Sequence, residues 1–291
     1  MFIKLFISLL IPEFAFMAST GAPAVKGAVI HEIPGLHKIN SYTIEPLIIS
    51  PSAVAIDGIT GQILYKKNHS SVSPIASITK LVTAYEYLKK TNNDLDRLIT
   101  LYPSDARVGG KSSVYQGEIG TARDFLHLAL IASDNSAAMA LARAGGFVDS
   151  FSDDVGALTK KLELTETKLS DPTGLSSKNV STALEVARLA REIFKNPIIA
   201  SAASESNYVF KPYNSIVARK LSTTDDLLQT SLFHINSAKT GYTEDSGYSF
   251  VMQADNGMGQ EIIITILGAP TSRDRFQDAK TIAWWIFENF E

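Results

Sequence analysis

The chain has 291 residues, 45% hydrophobic and 20% charged, which is ample for a packed core and excludes a disordered protein. With 27 basic against 30 acidic residues the net charge is −3, so no basic excess points to nucleic acid or to an anionic membrane surface. No cysteine is present, which excludes disulfides, thiol catalysis and cysteine-ligated metals. His31, His37, His69, His127 and His234 are scattered and form no metal-binding pair.

Residues 1–17 read MFIKLFISLLIPEFAFM, with Lys4 ahead of an apolar run and the small residues Ala18, Ser19, Gly21 and Ala22 after it. This is the layout of an export signal or an N-terminal anchor over residues 1–22, although Pro12 and Glu13 interrupt the run. It is too short and too interrupted for a clear transmembrane helix, and no second span follows. An extracytoplasmic location is therefore expected, with any membrane tether confined to the N-terminus. Residues 23–50 carry Pro23, Pro34, Gly35 and Pro46 and read as a linker or lead-in; fully extended, such a stretch reaches roughly 90 Å.

Ala53–Asp57 and Gln62–Lys66 flank Gly58-Ile-Thr-Gly61 as a hairpin. Ile75–Leu88 turns helical, with Ile78, Leu81, Val82, Tyr85 and Leu88 on one stripe. Thr121-Ala-Arg-Asp124 is a capping box opening a helix over Thr121–Leu130. A helix over Ala137–Ala144 stops at Gly145-Gly146. Thr182-Ala-Leu-Glu185 caps another, ending at Asn196-Pro197. After about residue 205 strands return, and Tyr248–Ala254 and Glu261–Leu267 form a second hairpin around Asp255–Gly259. Arg273–Phe290 closes the chain as an amphipathic helix whose Trp284 and Trp285 are expected in the core. With strands at both ends and helices between, the expected fold is α+β. One antiparallel sheet is built from N- and C-terminal strands and flanked by helices, with a helical lobe inserted in the middle and a cleft between lobe and sheet.

Three short motifs occur in order: Ser77-Ile-Thr-Lys80 at a helix start, Ser133-Asp-Asn135 between helices, and Lys239-Thr-Gly241 on a strand. Side chains at i and i+3 share a helix face, so Lys80 reaches the Ser77 hydroxyl. A serine needs a neighbour to take its proton, and a lysine can do so only if burial or a second cation, here Lys239, lowers its pKa. Ser133 is placed to relay a proton toward a leaving amine. Asn135 is placed to bond Lys80 and a substrate amide, while Asp134 is expected to hold the loop. Lys239 and Thr240 are expected to hold a terminal carboxylate. Gly241 is expected to admit a substrate backbone along the strand edge, with the N–H groups of Ser77 and Tyr242 as an oxyanion hole.

These motifs resemble the serine D-Ala-D-Ala peptidases, the low-molecular-mass penicillin-binding proteins, whose set is Ser-x-x-Lys, Ser-x-Asn and Lys-Thr-Gly. The likeness spans residues 51–291 and includes PIASITKLVTAYEYL (74–88), DPTGLSSKNVSTALEVARL (171–189), KTGYTEDSGYSF (239–250) and LGAPTSRDRFQDAK (267–280). It implies a β-lactamase/DD-peptidase-like fold over 51–291 and an acyl-enzyme on Ser77. Ser77, Lys80 and Ser133 are then catalytic, and Asn135, Lys239, Thr240, Gly241 and Tyr242 bind substrate. The implied substrate is a peptidoglycan stem peptide, β-lactams are covalent inhibitors, and neither metal nor organic cofactor is required.

Departures from the family pattern are the Ser237-Ala238 pair and Ser246, which stands where the family usually has Ala. The chain also stops about 50 residues after Lys239, so the resemblance is to the shorter branch that includes cross-link-cutting endopeptidases. Carboxypeptidase action is the expected activity and endopeptidase action the alternative. Glu166-Thr-Lys-Leu169-Ser170 approaches the Glu-x-x-Leu-Asn loop of class A β-lactamases, but Ser170 stands where Asn is required and the segment reads as a decoy. The intact motifs also argue against a non-catalytic cell-wall binding protein.

Overall fold

The structure is a computed structural model that describes residues 35–291, apart from Ser41, Lys111 and residues 230–232. The expected signal or anchor, residues 1–22, lies outside the described residues. The strands are β1 (Ser52–Asp57), β2 (Ile63–Lys67), β3 (Ser73–Pro74), β4 (Leu98–Thr100), β5 (Ile119–Thr121), β6 (Val180–Ser181), β7 (Asn207–Phe210), β8 (Arg219–Ser222), β9 (His234–Thr243), β10 (Gly247–Asp255) and β11 (Glu261–Ala269). The helices are α1 (Thr79–Thr91), α2 (Ala122–Leu130), α3 (Asn135–Ala144), α4 (Phe151–Lys161), α5 (Ala183–Ile193), α6 (Pro197–Ser204) and α7 (Ser272–Asn289).

The main sheet has the order β2-β1-β11-β10-β9 and is antiparallel throughout, so strands from both ends of the chain meet as expected. Val54, Ile56, Val251, Ile263 and Leu267 face the helical lobe, whereas Ala53, Ala55, Phe250, Met252, Ile262 and Ile264 face α7. A sheet covered on both faces needs apolar side chains at successive positions, which is why β1 and β11 read as unbroken apolar runs rather than alternating ones. Both expected hairpins form. Asp57 Oδ1 accepts from the N–H groups of Ile59 and Thr60, each at 2.7 Å, and Asp255 Oδ1 accepts from Gly257 at 2.8 Å.

Local signals set most helix starts. Thr121 and Asp124 make the full reciprocal capping box of α2. Thr182 caps α5 through the Glu185 N–H, but the Glu185 carboxylate turns away to the N–H groups of Thr165 and Glu166 and to the Thr167 hydroxyl, so the expected box is half formed. The stop at Asn196-Pro197 doubles as a start: Asn196 accepts from Ile198 at 3.0 Å, and Pro197 opens α6. On α7, Trp285 is buried at 7% exposure and bonds Ile44 O, but Trp284 is 52% exposed, one helical step off the core face.

The stretch expected as a linker is fixed to the domain from Leu36 onward. The Leu36 N–H bonds Asp57, Tyr65 and Lys67 bond the carbonyls of Pro46 and Ile48, and the Ser50 N–H and hydroxyl bond Asp278. No described helix is long and apolar enough to cross a membrane.

Candidate active site

The helix expected from Ile75 begins as a single 3₁₀ turn, Ala76–Ile78, before α1 takes over. Side chains three apart eclipse in such a turn. Lys80 Nζ thus lies 2.7 Å from Ser77 Oγ. The turn is held in an unusual backbone: Ala76 has φ +46°. Two glycines let neighbours close on it. A Cβ on Gly174, at φ +82°, would lie 2.1 Å from Ala76 O, and a Cβ on Gly241 would lie 2.9 Å from Ile75 O. Gly241, expected to admit a substrate backbone, also makes room for the Ser77 turn against β9.

Lys80 is fully buried. Its ammonium nitrogen lies 2.6 Å from Asn135 Oδ1 and 2.7 Å from Thr173 O. Burial lowers its pKa to about 7, against the opposing pull of the Asp134 and Asp171 carboxylates. The lowered lysine expected from the motif is present, and burial, the first of the two expected causes, is the largest acting on it. Lys239 is itself held well below the ordinary lysine value by burial, with the charges of Lys80 and Arg275 adding to the effect.

Ser133 sits at the turn between α2 and α3 with φ +57°, and Lys239 Nζ donates to its hydroxyl at 3.0 Å. Asp134 holds this loop as expected, capping α3 through Ala137 N–H and taking the Ser113 N–H. Asn135 Nδ2, expected to meet a substrate amide, donates to Gly109 O at 2.7 Å. The Asn135 side chain therefore ties Lys80 to the Gly109 loop.

A cleft of about 380 Å³ opens over these groups. Ser77, Ser133, Asn135, Thr240, Gly241 and Tyr242 line it, together with Thr224 and Arg275. Lys239, expected to meet a carboxylate directly, is 1% exposed and stands beneath the floor, its nitrogen engaged by Ser133 and by Thr240 O. Among the described residues, the cation that lines the cleft is Arg275. Its Nη1 donates to Gly241 O at 3.1 Å and its Nη2 to the Ser272 hydroxyl at 3.0 Å. Tyr242 is half exposed and stacks on Tyr248, with ring centroids 4.2 Å apart. Glu166 is exposed and does not line the cleft, which agrees with its reading as a decoy.

Arg275, Thr224 and the loop Asp171–Leu175 had been given no individual role. The segment bearing Arg275 was visible as family-like sequence. Its place in the cleft depends on α7 packing across β10 and β11 with its first turn reaching Gly241 of β9, which no local spacing encodes. The loop is built on Asp171, whose carboxylate gathers the N–H groups of Thr173, Gly174 and Ser176, and it presents Thr173 O to Lys80.

The family model described as D-alanyl-D-alanine carboxypeptidase, Peptidase S11, matches residues 40–271. A D-alanyl-D-alanine endopeptidase of Pseudomonas aeruginosa is 32% identical over 244 residues, covering 82% of this chain and 77% of the relative. One of Escherichia coli is 29% identical over 251 residues, covering 83% and 78%. Among solved structures, the Streptomyces K15 DD-transpeptidase superposes with a TM-score of 0.78 at 26% identity, over 84% of this chain and 100% of that one. Penicillin-binding protein D2 of Listeria monocytogenes in its ampicillin-bound form gives 0.73 at 27% identity, over 84% and 100%.

Proposed function

The chain belongs to the D-alanyl-D-alanine carboxypeptidase family of serine peptidases, and we propose that it hydrolyses the terminal D-Ala-D-Ala bond of peptidoglycan stem peptides through an acyl-enzyme on Ser77. The observation that carries this reading is the 2.7 Å approach of a fully buried Lys80 amine to the Ser77 hydroxyl. Above its lowered pKa the amine is neutral and can accept the hydroxyl proton. The Ser77 oxygen then attacks the penultimate D-Ala carbonyl, and the N–H groups of Ser77 and Tyr242 take the developing oxyanion. Ser133, backed by Lys239, relays the proton that Lys80 took from Ser77 to the leaving nitrogen, so that Lys80 is neutral again. Free D-Ala departs; water then loses a proton to Lys80 and attacks the ester, and Lys80 returns that proton to the departing Ser77 oxygen.

The substrate's terminal carboxylate is assigned to Arg275, with the Thr240 and Thr224 hydroxyls beside it. The guanidinium is the cation that lines the cleft among the described residues, and these two hydroxyls are 2.5 Å apart. β-Lactams carry a reactive carbonyl and a carboxylate and are expected to acylate the same serine. The working site is the cell-wall space outside the cytoplasm, and residues 1–22 would serve as the export signal or N-terminal anchor.

A second reading, cleavage of cross-links, is favoured by the relatives of similar length being named endopeptidases. The two differ only in the amine that leaves. Chromatography of muropeptides after incubation separates them: loss of one D-Ala from pentapeptides supports the first, and conversion of dimers to monomers supports the second. A wild-type chain that takes no fluorescent penicillin, or a Ser77→Ala chain that still takes it, overturns both.

A further inference from the structure

A second Ser-x-Asn triplet, Ser177-Lys-Asn179, does not line the cleft, yet its asparagine is wholly buried and reaches both sides of the reacting pair. Asn179 Oδ1 accepts the N–H groups of Ser170 and Asp171, at 2.8 and 3.2 Å, and the Ser170 hydroxyl at 3.1 Å. Its Nδ2 donates to Asp171 O at 2.8 Å and to the Thr79 hydroxyl at 3.1 Å. Its backbone carbonyl accepts the Ile75 N–H at 3.0 Å, just ahead of the Ser77 turn. One residue thus ties the loop Asp171–Leu175 to the turn that carries Ser77 and to the residue before Lys80.

Three successive carbonyls of that loop are spent on the start of α1. Asp171 O goes to Asn179 and through it to Thr79, Pro172 O accepts the Thr83 hydroxyl at 2.6 Å, and Thr173 O meets Lys80 Nζ at 2.7 Å. Thr79, Thr83 and Asn179 are all fully buried, so these bonds are shielded from water. The three partners of Lys80 Nζ differ in kind. Asn135 Oδ1 and Thr173 O can only accept, whereas the Ser77 hydroxyl can also donate. A neutral amine carries two N–H bonds and one lone pair. With both N–H bonds directed to the two carbonyls, the lone pair has one direction left, toward the Ser77 hydroxyl proton. The base is therefore aimed as well as discharged. When Thr173 O drifts away, an N–H is free to turn toward the serine and the lone pair turns off it.

We propose that Asn179 is a positioning residue that aims the Lys80 lone pair at Ser77 by fixing Thr173 O against the first turn of α1. This rests on the acyl-enzyme reading of Ser77 and deepens it, since Asn179 touches neither Ser77 nor Lys80 through its side chain. Thr173 O also accepts from the ammonium form, and more strongly, because the donor is then charged. Loosening it therefore costs the ammonium more than the amine, and the neutral base persists to lower pH. The charged groups that act on Lys80 are Asp134 from the turn between α2 and α3, Asp171 from the loop and Lys239 from β9. Uncharged replacements of Asn179 or Thr79 add no charge to that set, so a moved profile reports the carbonyl.

The test is the rate of acylation of the full chain by benzylpenicillin, followed over a range of concentrations and of pH, which separates the limiting rate from the apparent dissociation constant. At pH 8, Asn179→Ala is expected to lower the limiting rate by roughly 10–10²-fold while the dissociation constant stays within about twofold. Its acid limb is expected to move down by about half a pH unit. Thr79→Val, which removes the Nδ2 acceptor at nearly constant volume, lowers the rate by a smaller factor, and Thr79→Ser rescues it. A purely structural role would lower the melting temperature and the active fraction without moving the limb or separating rate from binding. An unchanged limiting rate in a folded Asn179→Ala chain, an acid limb that stays or moves up, or a loss carried by binding overturns the proposal. Should Asn179→Ala melt early, Thr79→Val and its rescue by Thr79→Ser decide in its place. A wild-type chain that benzylpenicillin does not acylate overturns the acyl-enzyme reading itself, and the proposal falls with it.

Discussion

Lys80 Nζ and Asn135 Oδ1 stand 2.6 Å apart, joining α1 to α3 across the base of the cleft. The contact presents a neutral carbonyl to an amine that must lose its charge to work. Replacing Asn135 by Asp puts a carboxylate in that place, which favours the ammonium form. The acid limb of acylation is expected to move up by about 1 pH unit or more. Rates of labelling by fluorescent penicillin from pH 5 to 9 check this; an unmoved limb in a folded variant would mean that Lys80 is not the titrating base.

In the wild-type chain the same lysine sets the profile. Its pKa is lowered to about 7, so the neutral base prevails above that value and is lost below it. Acylation should be nearly flat on the alkaline side and fall about tenfold per unit in acid. Lys80→Ala should slow acylation by roughly 10²–10⁴-fold at pH 8. A pH-independent rate across neutrality contradicts the assignment.

Gly174→Ala tests how the Ser77 turn is held. The added methyl would meet Ala76 O at 2.1 Å, and the residue keeps φ +82°. A left-handed backbone alone costs an alanine about 1–2 kcal/mol, and the clash adds to it. The expected loss is at least about 2 kcal/mol, seen as a fall in Tm of roughly 4–8 °C for a chain of this size, together with slower penicillin labelling. Gly156→Ala, a helix position where a Cβ meets nothing within 4 Å, is the matched control and should be neutral or mildly stabilising.

Asp105 and Arg143 form a half-buried ion pair in the helical lobe, with Nε to Oδ1 at 2.7 Å and Nη2 to Oδ2 at 2.8 Å. Asp105 is 1% exposed and also accepts the Tyr102 N–H, while Arg143 Nη2 donates to Thr100 O. Asp105→Ala leaves a partly solvated guanidinium without its counter-charge and frees the Tyr102 N–H, so unfolding by urea should report a loss of about 1–3 kcal/mol. The reverse truncation, Arg143→Ala, strands the buried Asp105 carboxylate and should cost at least as much, and the double variant should cost less than the sum.

Which parts of this molecule could be read from the sequence follows from how local their causes are. The capping box at Thr121–Asp124, the Asp57 and Asp255 turns and the i, i+3 pair Ser77–Lys80 involve neighbours in the chain, and each forms where its spacing placed it. α4 carries no strong cap, since Ser150 makes no side-chain capping bond, and it was not anticipated. Asn196-Pro197 reads equally as a stop and a start. Arg275 escaped because its place arises from packing between α7 and the strands that carry Gly241 and Ser249, not from neighbours in the chain. Lys239 was found but set one layer too high, because a motif names a residue without saying which side of a wall it occupies.

The two ends of the described chain are stitched together, His37 exchanging both backbone hydrogen bonds with Glu291 at 3.0 Å and Ile39 N–H bonding Asn289 O at 2.9 Å. From there the leading segment runs beside β2, whereas the cleft opens at β9, four strand spacings or roughly 19 Å across the sheet. Anything fused ahead of residue 35 or behind residue 291 therefore leaves by one common exit on the far flank, and a short bridge between those positions would turn the polypeptide into a ring. New termini cut at Gly257-Met258, an exposed hairpin tip, would then give a rearranged gene product with its catalytic mouth unobstructed.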